Sequence, residues 1–102
     1  MIIYNVTCNV EQDISEEWMK WMSKVHIPEV MATGIFLSAQ VNKVITGNDD
    51  GETYAIQYNC DSMKDLHLYQ VKFAPALQEK HSKKYGTKVI AFRTLLQVVS
   101  NF

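Results

Sequence analysis

The sequence predicts one α+β domain over residues 1–102, in which a four-stranded antiparallel sheet carries two helical regions on one face. Three observations predict this fold. With 102 residues, 47% of them apolar, the chain can bury one compact core. Residues 2–10 and 52–60 show the two-residue periodicity of strands, two further stretches are predicted as strands, and two stretches show the helical period of about 3.6 residues. Their order is β-α-β-β-α-β, the split βαβ order of ferredoxin-like domains.

The first part of the chain is predicted to contain a strand and a helix. Residues 2–10 alternate in character, which predicts a strand with one apolar face. Asp13 is a candidate N-cap for a helix that runs to His26. Because the residue before a proline disfavours the helical region, we expect a break at Ile27 and a short helical restart from Pro28. His26 is therefore predicted to end the first helix.

A hairpin, a second helical region and a final strand complete the order. The remaining strands are predicted at residues 35–45, 52–60 and 88–99. The GNDDG sequence at 47–51 joins the first two of them, since its glycines and Asx residues tolerate a positive φ. Ser62 begins the second helical region, Pro75 interrupts or restarts it, and Gly86 is its C-cap.

Charge and cysteine usage exclude several classes of function. Ten Lys and Arg against eleven Asp and Glu give a net charge of −1, so the chain lacks the positive charge that usually attracts nucleic acids. The N-terminal residues resemble neither a signal peptide nor a membrane span, which predicts a cytoplasmic protein without a membrane partner. Cys8 and Cys60 lack CxxC spacing, so we expect buried free thiols and neither a metal nor a cofactor.

The sheet face away from the helices predicts a homodimer. If Tyr4, Tyr54, Tyr58 and Phe92 point towards the helices, mostly neutral polar residues occupy the opposite face. These are Asn5, Thr7, Asn9, Ser38, Gln40, Asn42, Gln57, Asn59, Arg93 and Gln97. A freely solvated sheet face usually carries more Lys and Glu. We therefore expect this face to pair with a second copy, with amides hydrogen-bonding across the interface.

Four segments of the chain resemble a bacterial family that is a domain of unknown function. They are Met1–Thr7, His26–Gly34, Ala74–Leu77 and Ala91–Leu96, and the resemblance spans nearly the whole chain. That family is in turn similar to the dimeric α/β-barrel superfamily, in which two ferredoxin-like chains pair their sheets. The resemblance implies a homodimer whose chains each keep a pocket between helices and sheet. It implies no single activity, because the superfamily includes cofactor-independent monooxygenases, haem-degrading enzymes and isomerases.

His26 is the candidate catalytic residue. It lies at the edge of the apolar stripe of the first helix, near the predicted end of that helix. One interpretation is structural, with the imidazole bonding carbonyl groups that the break at Pro28 leaves free. The other is catalytic, because histidine titrates near neutrality and Glu29 is near enough in sequence to orient it or raise its pKa.

Aromatic residues form the candidate ligand-binding set. Its members are Tyr4, Trp18, Tyr54, Tyr58 and Phe92. Such rings can line a pocket for a flat apolar ligand, and the tyrosine hydroxyls can fix its orientation. Ordinary core packing is the alternative interpretation of the same pattern.

Four polar residues have weaker functional interpretations. Arg93 is expected to bond across the dimer interface, with a clamp on a ligand carboxylate as the alternative. Asn5 resembles first-strand asparagines of haem-degrading relatives, but strand parity places it away from the helices, which disfavours a haem site. His67 and His81 lack the i, i+4 spacing of a helical metal site.

Two functions remain open from the sequence. The first is a small dimeric domain that binds a small molecule or a protein partner, because no catalytic motif is present. The second is a cofactor-independent monooxygenase- or isomerase-like enzyme that acts on a small aromatic or polyketide-like substrate, with His26 in proton transfer. A pocket on which His26 and at least two tyrosines converge would favour the enzyme.

Overall fold

The computed structural model describes residues 1–45 and 51–102, which form one four-stranded antiparallel sheet with helices on one face. The strands are β1 (Ile2–Val10), β2 (Ser38–Lys43), β3 (Glu52–Cys60) and β4 (Val89–Gln97). They lie in the order β2-β3-β1-β4, and each neighbouring pair is antiparallel. This arrangement confirms the predicted α+β, ferredoxin-like fold. Residues 47–50 of the predicted GNDDG turn lie outside the described residues.

Helical segments cover the face of the sheet that the core occupies. They are α1 (Ser15–Trp21), a π-helical turn (Met22–His26), α2 (Ile27–Met31), α3 (Met63–Lys72) and α4 (Ala74–Tyr85), with 3₁₀ turns at Gln12–Ile14 and Gly86–Lys88. Buried side chains from both layers form one core, in which Tyr4 and Ile56 of the sheet meet Trp18 and Leu66 of the helices. The sheet therefore has one covered face and one that no described helix covers.

The predicted helix break at Ile27 is wrong. Backbone angles stay helical through His26 (φ −68°, ψ −53°) and Ile27 (φ −62°, ψ −44°), and α2 follows without interruption. The N–H of Ile27 bonds to the carbonyl oxygen of Met22, five residues back. This wider π turn accommodates Pro28, which has no N–H to donate and crowds the preceding turn of a regular α-helix. His26 consequently lies inside a continuous helical stretch and does not end it.

The second helical region follows the predicted signals. The Ser62 hydroxyl oxygen accepts a hydrogen bond of 3.3 Å from the backbone N–H of Asp65, as an N-cap does. Phe73 separates α3 from α4, and Pro75 stands at the start of α4, where its missing N–H costs nothing. Gly86 ends α4 with a φ of 56°, a conformation that favours glycine.

The predicted facing of β4 is wrong. In the observed register Arg93 pairs with Val6 and Phe92 pairs with Thr7, so Arg93 points towards the helices and Phe92 away from them. Gln97, paired with Ile2, also lies on the helix side. Both faces of β4 carry apolar residues, so its periodicity does not say which face is buried, and only the register with β1 decides.

We call the sheet surface away from the helices the open face. The strand registers place on it Ile3, Asn5, Thr7, Asn9, Ser38, Gln40, Asn42, Thr53, Ala55, Gln57, Asn59, Ile90, Phe92, Thr94 and Leu96. No residue in this set carries a formal charge. Ile90 and Phe92 are 66% and 61% exposed, so the open face is more apolar than the sequence predicted.

Gly51, where β3 begins, should tolerate a side chain poorly. Its φ is 93°, and an added Cβ would overlap the backbone carbonyl of Val10. Gly34 also has a positive φ, of 78°, but no atom lies near an added Cβ. The Gly34→Ala variant therefore measures the cost of the positive φ alone. We expect Gly51→Ala to lower the free energy of unfolding by roughly 3 kcal/mol, and Gly34→Ala by about 1 kcal/mol. Urea unfolding of the two variants measures the difference, and equal losses would contradict the close approach to Val10.

Candidate functional site

A cavity of about 240 Å³ lies between the helices and the β1–β4 side of the sheet. It is lined by Val6, Cys8, Met22, His26, Gln78, His81, Ser82, Gly86, Val89, Ala91 and Arg93. The sheet supplies a mainly apolar floor, whereas the π turn and α4 supply the two histidines. A smaller hollow of about 40 Å³, lined by Tyr4, Tyr58 and Tyr69 among others, shares His26 and Arg93 with this cavity.

The two histidines belong to an aromatic cluster beside the cavity. The ring of His26 stacks on Trp21 with centroids 5.3 Å apart, and it lies 5.9 Å from the ring of His81. The indole Nε1 of Trp18 donates a hydrogen bond of 2.9 Å to Nε2 of His81. Because Nε2 accepts this bond, the neutral His81 ring carries its proton on Nδ1. Trp18 thus sets which tautomer of His81 the cavity contains.

The surroundings hold both imidazoles in their neutral form at neutral pH. Burial, followed by the neighbouring His81, lowers the pKa of His26 from 6.5 to about 4. Burial and the charge of Arg93 also lower the pKa of His81. Glu29 acts in the opposite direction on the pKa of His26 but is outweighed. Its carboxylate accepts a 2.7 Å hydrogen bond from the ammonium group of Lys80.

One nitrogen of His26 is buried without a hydrogen-bond partner. This atom is Nδ1, and the described chain offers it no donor or acceptor within reach. A buried polar atom left in this state costs about 1–3 kcal/mol, so such atoms in native proteins usually mark a polar group supplied from elsewhere or a catalytic role. The structural interpretation, in which the imidazole bonds freed carbonyl groups, does not account for this nitrogen.

Arg93 joins the site through the register of β4. Its Nε atom donates a 2.9 Å hydrogen bond to the hydroxyl of Tyr4, and the side chain lines both the cavity and the smaller hollow. The expected bond from Arg93 across a dimer interface is therefore wrong, because the interface was expected on the opposite face. Sequence reasoning considered Arg93 for a ligand site only as the alternative to an interface bond, and it missed His81 as a cavity residue. The available signal for His81 was its helical spacing from apolar residues such as Leu77.

The predicted aromatic set is divided among four places. Tyr4 and Tyr58 line the smaller hollow, and Trp18 is buried behind His81. Tyr54 lies apart from the cavity, where its hydroxyl donates a 2.7 Å hydrogen bond to Glu52. Phe92 lies on the open face and cannot line the cavity. The structure therefore brings His26 together with Tyr4 and Tyr58 and leaves Tyr54 and Phe92 outside.

A separate polar cluster surrounds Glu52 on the β2–β3 side of the sheet. The hydroxyl groups of Ser15 and Tyr54 both donate to its carboxylate, and the ammonium of Lys43 lies 3.7 Å from it. The hydrogen bonds from Ser15 and then Tyr54 lower the pKa of Glu52. This cluster ties α1 to β3.

Cys8 and Cys60 are free and buried, as predicted, and burial raises the pKa of Cys8 to about 11. Among the described residues, no three His, Cys, Asp or Glu side chains are grouped so that they could hold a metal ion. Within the same residues, every helix is too short or too polar to cross a membrane.

Comparison of the whole chain with protein families gives one match. The model of a domain of unknown function, DUF4286, matches residues 1–99. The chain belongs to the DUF4286 family. This result confirms the resemblance that the sequence segments indicated. No curated protein matches this DUF4286 chain in sequence.

Solved structures share the fold of this DUF4286 domain at low sequence identity. A dimeric ferredoxin-like protein from an uncultured marine organism has a TM-score of 0.65 and 14% identity, with 99% of this chain and 97% of the other covered. A candidate antibiotic biosynthesis monooxygenase from Deinococcus radiodurans has a TM-score of 0.70 and 13% identity, with 100% and 96% covered. A variant of MhuD with two manganese protoporphyrin IX molecules per active site has a TM-score of 0.73 and 14% identity, with 100% and 98% covered. These likenesses establish the ferredoxin-like fold.

Proposed function

We propose that this DUF4286 protein is a homodimer of the dimeric α/β-barrel type whose chains each bind a small molecule in the cavity between helices and sheet. The observation that carries the binding function is the convergence of His26, His81 and Arg93 on one cavity. Small-molecule sites usually combine apolar surface with a few convergent polar groups, and this cavity presents both. A ligand with one polar group would bond to these polar side chains and cover the apolar floor.

The open face supports the homodimer. It combines exposed apolar side chains, such as Ile90 and Phe92, with no formal charge at any of its positions. A second copy of the same face would therefore meet it without burying an unpaired charge. Dimeric ferredoxin-like proteins are among the structures that share this fold, which supports the same arrangement.

The amide groups of the open face are already partly satisfied within the chain. Asn5 accepts a hydrogen bond from Gln57 and donates one to Thr7, at 3.3 Å and 3.1 Å. Asn9 donates to Thr53 at 3.0 Å. Because these polar groups have partners before association, covering them with a second chain leaves few unsatisfied groups. This network supports burial of the face. The hydrogen bonds of these amides lie within one chain, whereas the sequence predicted amides that bond across the interface.

An enzymatic function is the second candidate. The observation that favours it is the convergence of His26, Tyr4 and Tyr58 on the smaller hollow, which brings a candidate proton-transfer group together with tyrosine hydroxyls. The reaction would be of the cofactor-independent monooxygenase or isomerase type, with a small aromatic or polyketide-like substrate. The fold shared with the candidate monooxygenase from Deinococcus radiodurans supports this candidate only at the level of architecture.

The proposal does not extend to a porphyrin. The cavity of about 240 Å³ is smaller than the roughly 300–1,000 Å³ that drug-sized ligands occupy. Asn5, which resembles first-strand asparagines of haem-degrading relatives, lies on the open face, as strand parity predicted. We accordingly propose a small ligand and no haem cofactor.

The free cysteines and the net charge support a cellular location and exclude one class of partner from the proposal. We propose a bacterial cytoplasmic protein, supported by two free cysteines that an oxidising compartment would tend to pair or modify. The net charge of −1 supports the proposal that nucleic acid is not a partner.

A thermal-shift screen of aromatic metabolites, haem and flavins tests the binding function. We expect at least one small aromatic metabolite to raise the melting temperature of the wild-type protein and to have little effect on His26→Ala. His67→Ala is the matched control, because His67 is an exposed histidine on α3. Equal stabilisation of wild type and His26→Ala would place the ligand elsewhere, and no stabilisation by any compound would contradict the proposed function.

A further inference from the structure

We propose that the ligand of the His26–His81–Arg93 cavity is a compact organic anion, bound through a carboxylate or a similar planar oxyanion by Arg93. This inference rests on the proposed binding function and adds the chemical class of the ligand. Three features of the cavity carry it: its charge, the way Arg93 is held, and the division between an apolar floor and polar walls.

The charge of the cavity is unbalanced. Arg93 is a permanent cation, and the residues that line the cavity include no aspartate or glutamate. Glu29, which influences His26, is paired with Lys80, and Arg93 forms no salt bridge within the described chain. Both imidazoles are neutral, so neither adds a second positive charge. Arg93 is exposed, so water solvates its charge in the free chain, and a ligand anion would replace that water with charge-assisted hydrogen bonds.

Arg93 is held in place before a ligand arrives. Its Nε atom donates to the hydroxyl of Tyr4, and Tyr4 is itself only 3% exposed. The ring of Tyr4 packs against Phe36, Tyr58 and Tyr69 with centroids 5.8–6.0 Å apart. One donor of the guanidinium is thereby fixed by the core, and the terminal nitrogens keep the fork that matches a planar carboxylate. Such preorganisation lowers the entropic cost of binding.

The floor of the cavity favours an organic body over a simple ion. Val6 and Cys8 of β1 and Val89 and Ala91 of β4 present apolar surface there. An inorganic anion would leave this surface wet, whereas a hydrocarbon or aromatic body would cover it. The volume of about 240 Å³ holds about eight water molecules at roughly 30 Å³ each, which limits the body to a single ring or a short chain.

Pairs of acids and their amides test the inference on the full chain. The pairs are benzoate with benzamide, and cyclohexanecarboxylate with its amide, titrated into wild-type protein at pH 7 and followed by calorimetry. The variants are Arg93→Gln, which removes the charge, and Arg93→Lys, which keeps the charge and loses the fork. Lys88→Gln is the matched control, because this exposed cation lies just before β4. Thermal unfolding of each variant verifies that it is folded.

The expected result is a preference of about tenfold or more for each acid over its amide. Arg93→Gln should lose this preference, Arg93→Lys should keep only part of it, and Lys88→Gln should keep all of it. Amides that bind as tightly as acids would overturn the anion inference. A preference for acids that survives in Arg93→Gln would also overturn it. Either outcome would leave the proposed binding function standing. Inorganic phosphate that binds as tightly as benzoate would overturn the organic class. Absence of binding by acids and amides alike would overturn the inference, and the aromatic-metabolite screen then decides the proposed function separately.

Discussion

Replacing Phe92 with lysine is expected to convert the protein from a dimer to a monomer. Phe92 lies on the open face and is 61% exposed in a single chain. A dimer formed through this face therefore buries two Phe92 rings, one from each chain. A lysine would bring two unpaired ammonium groups into an interface that contains no formal charge, and buried charges without partners cost several kcal/mol. We expect the dimer dissociation constant to rise by about a hundredfold or more. Sedimentation at micromolar concentration measures it.

The matched control for this variant is Val71→Lys. Val71 is an equally exposed apolar residue, at 65%, but it lies on α3, on the opposite side of the sheet. The control should remain dimeric and should keep the wild-type unfolding temperature within a few degrees, because surface substitutions usually change stability little. A wild-type protein that is monomeric, or a Val71→Lys variant that dissociates while Phe92→Lys does not, would contradict a dimer through the open face.

Acidification is expected to destabilise the protein through His26 in a pH range where carboxylates contribute little. The pKa of His26 falls from 6.5 in the unfolded chain to about 4 in the folded one. Between these values the unfolded state binds the extra proton, so the stability contribution is complete above about pH 6.5 and is lost as the pH falls through 4. The loss approaches roughly 3 kcal/mol, at 1.36 kcal/mol for each unit of pKa difference.

Urea unfolding of wild type and His26→Leu between pH 7 and pH 4.5 measures this contribution. Leucine keeps a side chain of similar size and cannot be protonated, so the variant should lose much less stability across the range. Part of the dependence should remain, because burial also lowers the pKa of His81. His67→Leu, on the exposed surface of α3, should behave as wild type. Identical slopes for wild type and His26→Leu would show that His26 is not held neutral by the fold.

Most of the fold could be predicted because its signals are local. Alternation in residues 2–10, the N-cap at Ser62 and the stop at Gly86 each act within a few residues, and the structure has an element boundary at each. The helix break at Ile27 was wrong for the opposite reason. Whether a proline breaks a helix depends on the conformation of the preceding turn. Here that turn is a π turn, whose backbone hydrogen bonds accommodate Pro28 without ending the helix.

The site was only partly predictable, because its composition depends on long-range register. His26 was identified from its position at the edge of an apolar stripe, which is a local property. Arg93 was assigned to the wrong face because β4 is apolar on both sides, and a shift of one residue in strand phase exchanges the two faces. The contact between Trp18 and His81 joins residues 63 positions apart, and no local pattern indicates it.

We claim that the cavity of His26, His81 and Arg93 binds a small molecule, and side-chain NMR of ¹⁵N-labelled histidine observes binding at the cavity itself. The three histidines of the chain provide the control, since His26 and His81 line the cavity and His67 is exposed on α3. During titration with benzoate and with benzamide, we predict that at least one of them shifts the imidazole resonances of His26 and His81 to saturation and leaves those of His67 unchanged. Uniform shifts of all three histidines, or saturation with no change at His26 and His81, would contradict the claim.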